Sequence, residues 1–312
     1  MADKILITGA AGYIGSKLAA RLNEQFDVVG VDIRIPESPP CTMLQCDIRD
    51  SKLADIVASE GITHVVHLAS VLESRGDVEL DYDIDVNGTR NVVEACLQGK
   101  VKHLTVTSSG AAYGYHADNP HWLDEYDRLR GNPEFAYSLH KTLVENYLAE
   151  IREQHPELKQ LILRPGTVLG TQTQNQITNL FEKPRILAVR GSRSPFVFIW
   201  DEDILDIIDL GIRESKAGIY NLAGDGALAI DEIAAHLGKP LLALPASLLR
   251  LALHIGHALR LTRYTPAQVN FLRYRPVLSN RRLKREFGYE PQLTSREVFE
   301  LFVKHARTRG QL

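Results

Sequence analysis

Short apolar runs alternate with amphipathic stretches through the first half of the chain. Lys4–Thr8 (KILIT) has a strand pattern, a glycine-rich turn follows it, and Ser16–Asn23 then carries apolar residues at helical spacing. Asp27–Asp32 (DVVGVD) is a β-branched run closed by an acid. The rhythm repeats, with Thr42–Gln45 extended, Ser51–Ser59 helical, His64–Leu68 extended, Val86–Leu97 helical and His103–Ser108 extended. Ser138–Ile151 is then helical and Leu161–Leu163 extended. Parallel neighbours need crossover helices, and those helices cover the sheet, so the alternation predicts an α/β fold with a doubly wound parallel sheet over residues 1–170.

After Gly170 the rhythm breaks. Thr171–Asn179 is polar and Gln/Asn-rich, and Glu182–Pro195 mixes basic residues with Pro and Gly, which predicts an irregular insertion. Phe196–Trp200, Asp203–Ile212 and Ile219–Leu222 return to strand and helix, so the first domain is completed by about 196–224. Residues 171–195 and 225–312 are left to a smaller C-terminal α/β lobe suited to holding a substrate. Leu241–Leu261 is very apolar, but Pro245, Arg250, His254, His257 and Arg260 interrupt it, so it is read as a soluble helix rather than a membrane span. Its surplus leucines fit an apolar substrate, a core or a dimer contact, and all three stay open. His254 and His257 stand three apart without an evident third ligand and are read as a polar helix face, with no metal expected. Asp201–Asp203 is an acidic run suited to a helix start.

Composition narrows the partners. The 312 residues include 36 Lys+Arg against 39 Asp+Glu, and a formal charge of −3 offers no footprint for nucleic acid or an anionic membrane, so neither is expected. Cys41, Cys46 and Cys96 lack metal-ligand spacing, and with no leader pattern at Met1-Ala2-Asp3 the expected compartment is the reducing cytoplasm.

Chemistry enters at Thr8–Gly15 (TGAAGYIG), where Gly9, Gly12 and Gly15 lie between a strand and a helix. One glycine permits the tight turn, one lets backbone approach a pyrophosphate, and one lets helix and strand pack closely; the helix N-terminus offers N–H groups to the anion. Asp32 ends the second strand 17 residues past Gly15, where its carboxylate accepts from a ribose 2′-hydroxyl and repels a 2′-phosphate. NAD is therefore the expected cofactor. Arg34, two residues on, faces a 2′-phosphate in the alternative reading and keeps NADP possible.

Tyr137-Ser138-Leu139-His140-Lys141 puts a phenol and an ammonium on one helix face, one turn apart. Tyr13 and Lys17 share that spacing by accident, so context has to separate the pairs. Tyr137 opens a helix after a long loop, downstream of Thr107-Ser108-Ser109 at the carboxyl end of a strand, the edge that faces a cofactor crevice in such sheets.

Taken in order, TGAAGYIG, Asp32, Cys46-Asp47-Ile48, HVVHLAS, VTSSGAAYG, YSLHK, LRPGTVLG and the C-terminal LSNRRLKREFGYEP resemble the extended short-chain dehydrogenase/reductase family, which includes NAD-dependent epimerases and dehydratases. The resemblance spans essentially the whole chain and implies a Rossmann domain and an oxidoreductase. A phenol has a pKa of about 10, and lowering it to 7 requires about 4 kcal/mol, which a neighbouring ammonium and an oxidised nicotinamide supply. By this resemblance Tyr137 exchanges the proton of a substrate hydroxyl or carbonyl, Ser109 orients that oxygen, and Lys141 also binds the nicotinamide ribose. Ser108 competes for the serine role, and the count back from Tyr113-Gly114 favours Ser109.

The resemblance further implies that Asp47 and Ile48 flank the adenine and that Leu68, Ala69 and Ser70 line the cofactor crevice. Pro165, Gly166 and Thr167 are expected at the nicotinamide amide, with further cofactor contacts from Tyr13, Ile14, Ile33, Arg34 and Thr107. A homodimer through the helices near Asp85 and Tyr137 is implied as well, with a small molecule as substrate. Many relatives read Asn-Val-x-Gly-Thr where this chain has Asp85-Val86-Asn87-Gly88-Thr89, and Asn87 is left as a helix-start residue. Two reactions remain: a dehydrogenase acting on a secondary alcohol or its ketone, and a sugar-nucleotide epimerase. Nucleotide-sugar relatives carry Asn where Thr167 stands and Arg near Phe196-Val197, although Arg190 and Arg193 lie just upstream; dehydratases carry Asp-Glu where Gly110-Ala111 stands. A non-catalytic sensor is opposed by the retained Ser109, Tyr137 and Lys141.

Overall fold

The computed structural model describes residues 3–72, 76–262 and 265–312; Met1 and Ala2, where the leader reading begins, lie outside them. In chain order the elements open with β1 (Lys4–Thr8), α1 (Tyr13–Leu22), β2 (Asp27–Asp32), β3 (Thr42–Gln45), α2 (Lys52–Ser59) and β4 (His64–His67). They continue through α3 (Val78–Tyr82), α4 (Gly88–Gln98), β5 (His103–Thr107), α5 (Ala136–Gln154), β6 (Lys159–Pro165) and β7 (Thr167–Leu169). Next come α6 (Gln176–Glu182), β8 (Ile186–Val189), β9 (Phe198–Trp200), α7 (Asp201–Arg213), β10 (Gly218–Leu222) and α8 (Ile230–Leu237). The chain closes with β11 (Leu241–Leu244), α9 (Ala246–Ala258), α10 (Val269–Arg273) and α11 (Ser295–Thr308).

Seven strands form one sheet in the order β10-β6-β5-β4-β1-β2-β3, and the pairings from β3 through β6 all run parallel. The chain winds outward from β1 to β3 and then crosses back to β4 on the other side of β1, so the order reverses between β1 and β4. Ligands of doubly wound sheets sit at the carboxyl ends of strands where the order reverses. Ile5, Leu6, Ile7, Val65, Val66 and Leu104 are all buried, as expected of central strands covered on both faces. Two compact units emerge from the contacts: residues 1–109, 140–164 and 202–220 form the first, and 110–139, 165–201 and 221–312 the second.

The first unit keeps three histidines inside its sheet. His64 and His67 of β4 and His103 of β5 are all buried, and burial lowers the pKa of each below the ordinary 6.5, that of His67 to about 3 with help from the Lys141 charge. The folded state therefore holds them neutral while the unfolded chain takes up protons below about pH 6.5. Stability falls as pH drops through that value, by up to about 1.4 kcal/mol per pH unit for each group. Urea unfolding at pH 7 and pH 5 is expected to show a lower midpoint at pH 5, with His67→Gln reducing the difference. Equal midpoints would mean that the imidazoles are not held neutral.

In the second unit, the segment expected to be irregular is ordered. Asn175 caps α6 by accepting from the Ile177 and Thr178 N–H groups, while the Thr178 hydroxyl accepts from the Asn175 N–H. That reciprocal cap is made of the polar residues whose composition suggested a loop. β8 follows and pairs in parallel with β11, a partner some 50 residues away that no local pattern reveals. Leu241–Leu261 likewise divides into β11 and α9 at Pro245, which N-caps the helix. Among the described residues no helix is long and apolar enough to cross a membrane. The core of this unit is aromatic, with Phe181 edge-on to Phe299 at 5.3 Å and Phe198 stacked on Phe299 at 5.4 Å.

Candidate active site

At the carboxyl end of β1 the chain turns with Gly9 at φ +71°, and a Cβ there would lie 2.8 Å from the Ala69 nitrogen. A Cβ on Gly15 would lie 2.1 Å from the Gly9 carbonyl oxygen. Any side chain at either place would separate the turn from the β4 loop or from α1. Gly12 N-caps α1, so the helix begins at Tyr13, three residues before the apolar spacing marks it. The Asp32 carboxylate accepts from the Ala11 N–H at 3.0 Å through one oxygen and from the Arg34 N–H at 3.2 Å through the other. A carboxylate has about four lone-pair positions, so acceptor capacity remains for two ribose hydroxyls. The glycine-flanked helix end and this acceptor fit a dinucleotide. Ile33 and Arg34 are exposed beyond it.

Asp47 is held by Arg49, which donates to both carboxylate oxygens at 3.0 and 2.7 Å, and this keeps the Asp47 pKa below its ordinary value. Ile48 next to it is buried. Tyr13 and Lys17 show how the accidental spacing is used. The Lys17 ammonium lies 5.6 Å from the centre of the Tyr13 ring and is ion-paired with Glu202, at the start of α7. The acidic run at 201–203 is indeed a helix start.

The loop after β4 is fastened by a residue that the sequence marks only as a departure. Asp85 lies in a wide π-helical turn (Asp83–Asn87) between α3 and α4, a geometry that carries its side chain inward to 4% exposure. One carboxylate oxygen accepts from the Ser70 hydroxyl at 2.9 Å and the Val71 N–H at 2.8 Å, and the other lies 3.0 Å from His140 Nδ1. Burial alone would raise the Asp85 pKa, but His140, Lys141, Val71 and Ser70 together bring it below the ordinary value. Asp85 thus ties the Leu68–Ser70 segment to α5, one residue before Lys141. A second chain of bonds runs from Thr8 to His67 at 2.7 Å, on to Thr89 at 2.9 Å, and ends on the Asp85 carbonyl. Asn87 donates to Asp83 and is exposed.

α5 carries both Tyr137 and Lys141, one turn apart. Lys141 is buried, and its Nζ donates to the Thr107 carbonyl at 3.1 Å, at the carboxyl end of β5. Ser138 fixes the start of α5 by donating to the Ala111 carbonyl at 2.6 Å. Of the two candidate serines, Ser108 is occupied. It is buried and donates to Glu145, which also takes a bidentate bond from Arg164. Ser109 is the residue after it, two positions past the end of β5. Tyr137, Pro165, Gly166 and Thr167 belong to the second unit, and the other candidate residues to the first.

One feature of the second unit escapes sequence reading altogether. The Arg275 guanidinium stacks 3.9 Å from the centre of the Phe196 ring and 4.3 Å from that of Phe271. Its Nε is sealed from solvent and finds no hydrogen-bond acceptor among the described residues. Burial lowers its pKa to about 10. The Tyr115 ring lies 4.9 Å from that of Phe271 and so belongs to the same cluster.

The family model for the NAD-dependent epimerase/dehydratase family matches residues 5–222. An Escherichia coli O157:H7 protein named N-acetyl-alpha-D-glucosaminyl-diphospho-ditrans,octacis-undecaprenol 4-epimerase is 28% identical over 250 residues, covering 77% of this chain and 73% of its own. The Thermus thermophilus UDP-glucose 4-epimerase, solved with NAD, superimposes with a TM-score of 0.73 at 23% identity over 97% of this chain and 99% of its own. The Bordetella bronchiseptica enzyme WbmG, also solved with NAD, gives 0.76 at 20% identity over 100% and 96%.

Proposed function

The chain belongs to the NAD-dependent epimerase/dehydratase family, and from there we propose that it is an NAD-dependent oxidoreductase acting at a secondary alcohol or its ketone, with Ser109, Tyr137 and Lys141 as the reacting residues. The observation that carries this reading is the placement of Lys141. It is a buried ammonium anchored on the Thr107 carbonyl and one helical turn from a phenol.

In this reading the backbone N–H groups at the start of α1 receive the pyrophosphate of NAD, and Asp32 accepts from the adenosine ribose hydroxyls. Tyr13, Ile14 and Thr107 lie along the same edge, Asp47 and Ile48 beside the adenine, and Pro165, Gly166 and Thr167 at the carboxamide. Tyr137 takes the hydroxyl proton, Lys141 favours the phenolate by its charge and holds the nicotinamide ribose, and Ser109 donates to the substrate oxygen. NAD bound there would supply the hydride acceptor for the carbinol carbon. Residues 110–111 are Gly and Ala, so no carboxylate follows Ser109 to assist elimination.

A second reading, epimerisation, returns the hydride to the opposite face of the same carbon. Arg275 favours it, because a cation whose Nε finds no acceptor among the described residues suits the phosphates of an activated sugar. Two of the relatives above are named as 4-epimerases of diphosphate-linked sugars, which points the same way.

The deciding measurement is the NAD(H) released when purified, extensively dialysed protein is denatured, per chain. Near-stoichiometric release is expected of the epimerase, which regenerates its own cofactor. Empty protein that binds added NAD in preference to NADP and reduces it with a secondary alcohol supports the dehydrogenase. Failure to bind either dinucleotide would overturn both.

A further inference from the structure

Asp85 holds one short segment twice, by its side chain and by its backbone. Its carboxylate accepts from the Ser70 hydroxyl and the Val71 N–H. Its carbonyl accepts from the Thr89 hydroxyl at 2.6 Å. With that proton committed, Thr89 accepts from His67 Nε2–H, so His67 Nδ1 is bare and accepts in turn from the Thr8 hydroxyl. Thr8 accepts from the Ala69 N–H at 3.4 Å. Ala69, Ser70 and Val71 therefore all send donors along paths that end on Asp85. Ala69 is also the residue against which the Gly9 turn packs without room for a Cβ.

α5 joins the same residue from the other side. Burial raises the Asp85 pKa, but the bonds from His140, Val71 and Ser70 and the Lys141 charge bring it below the ordinary value. The carboxylate is then an acceptor only, and His140 Nδ1, 3.0 Å away, has to carry a proton. Lys141, the next residue, donates to the Thr107 carbonyl, and the Thr107 hydroxyl donates to the His67 carbonyl at 3.4 Å. The bonds thus form a closed circuit from α5 through Asp85, Thr89, His67 and Thr107 back to α5, all within the first unit.

We propose that Asp85 and His140 are positioning residues of the NAD site, whose bond fixes the Ala69–Val71 backbone against α5 so that the crevice wall and Lys141 stand ready before the cofactor arrives. The inference rests on the reading above in which Leu68–Ser70 and Lys141 meet NAD, and Asp85 and His140 act through those groups. A crevice ready in every molecule loses no affinity to ordering, whereas one ready in about a tenth of them binds about tenfold more weakly. Asn fills the role of Asp85 in part. Its oxygen still accepts from Ser70 and Val71, but its Nδ2 is a donor and faces His140 only when Nδ1 has given up its proton.

Three readouts on the whole protein test the proposal. Calorimetric titration with NAD gives the affinity, hydrogen exchange in the cofactor-free protein follows the Ala69–Val71 amides, and imidazole nitrogen NMR shows which nitrogen of His140 is protonated. Asp85→Ala is expected to weaken NAD binding about tenfold or more and to speed exchange at Val71. Asp85→Asn is expected to weaken binding no more than about threefold and to move the His140 proton from Nδ1 to Nε2. A role limited to stability would lower the melting temperature and leave the NAD affinity of folded Asp85→Ala unchanged, which overturns the proposal. A bare Nδ1 on His140 in the parent protein overturns it as well. Should Asp85→Ala not fold, Asp85→Asn decides: a moved proton upholds the pair, and an unchanged His140 spectrum overturns it. A parent that binds neither NAD nor NADP overturns the cofactor reading and this inference together, whereas equal NAD affinity in the parent and both variants overturns this inference alone.

Discussion

Tyr137→Phe is expected to lower turnover by about 10³-fold or more while leaving NAD affinity within about twofold, because positioned proton transfer contributes about 10²–10⁴ and the ring itself is kept. The phenol oxygen is the only atom removed. Ser138, which fixes the start of α5 on the Ala111 carbonyl, and Lys141, which is anchored on Thr107, are both untouched. A loss confined to turnover would place the phenol in the chemistry. A matching loss of NAD affinity would point to disturbed structure, and full activity on every substrate converted by the parent would remove Tyr137 from the mechanism. Lys141→Met gives a useful contrast, since in the proposed reading it should damage both cofactor affinity and turnover.

The largest loss of stability is expected from Arg164→Leu. Arg164 and Glu145 have side chains 4% and 3% exposed and share two parallel bonds, Nε to Oε1 at 2.9 Å and Nη2 to Oε2 at 2.6 Å. Removing the guanidinium leaves a buried carboxylate with Ser108 as its remaining side-chain donor, which costs about 3–5 kcal/mol. That is a large part of the roughly 5–15 kcal/mol that stabilises a folded domain. The double variant Arg164→Leu with Glu145→Leu should recover much of the loss, because an apolar pair of similar volume needs no compensation. Urea unfolding followed by circular dichroism measures both. A loss below about 1 kcal/mol for the single variant would show that water reaches the carboxylate.

Where pattern and chemistry are local, the sequence is readable. The strands of the doubly wound sheet announce themselves as short apolar runs, and α5 carries Tyr137 and Lys141 as their spacing requires. What resists reading depends on distant partners. His140 looks like an ordinary helix residue until the π-helical turn brings Asp85 to it across 55 positions. Arg275 looks like one more C-terminal cation until Phe196, 79 positions away, stacks on it. β8 is concealed because its partner β11 lies inside a run read as one long helix.

The two units are interleaved along the chain, so the polypeptide passes from one to the other five times before it ends. No single cut releases either unit whole, and synthesis cannot complete one before starting the other. β5 reaches the ribosome exit with its outer edge unpaired, and its neighbour β6 follows only some 50 residues later, about 3–10 s at ordinary translation rates. During that interval a strand destined for the interior presents open backbone to any passing chain. A chaperone that shields nascent strands would serve this protein most between residues 107 and 165.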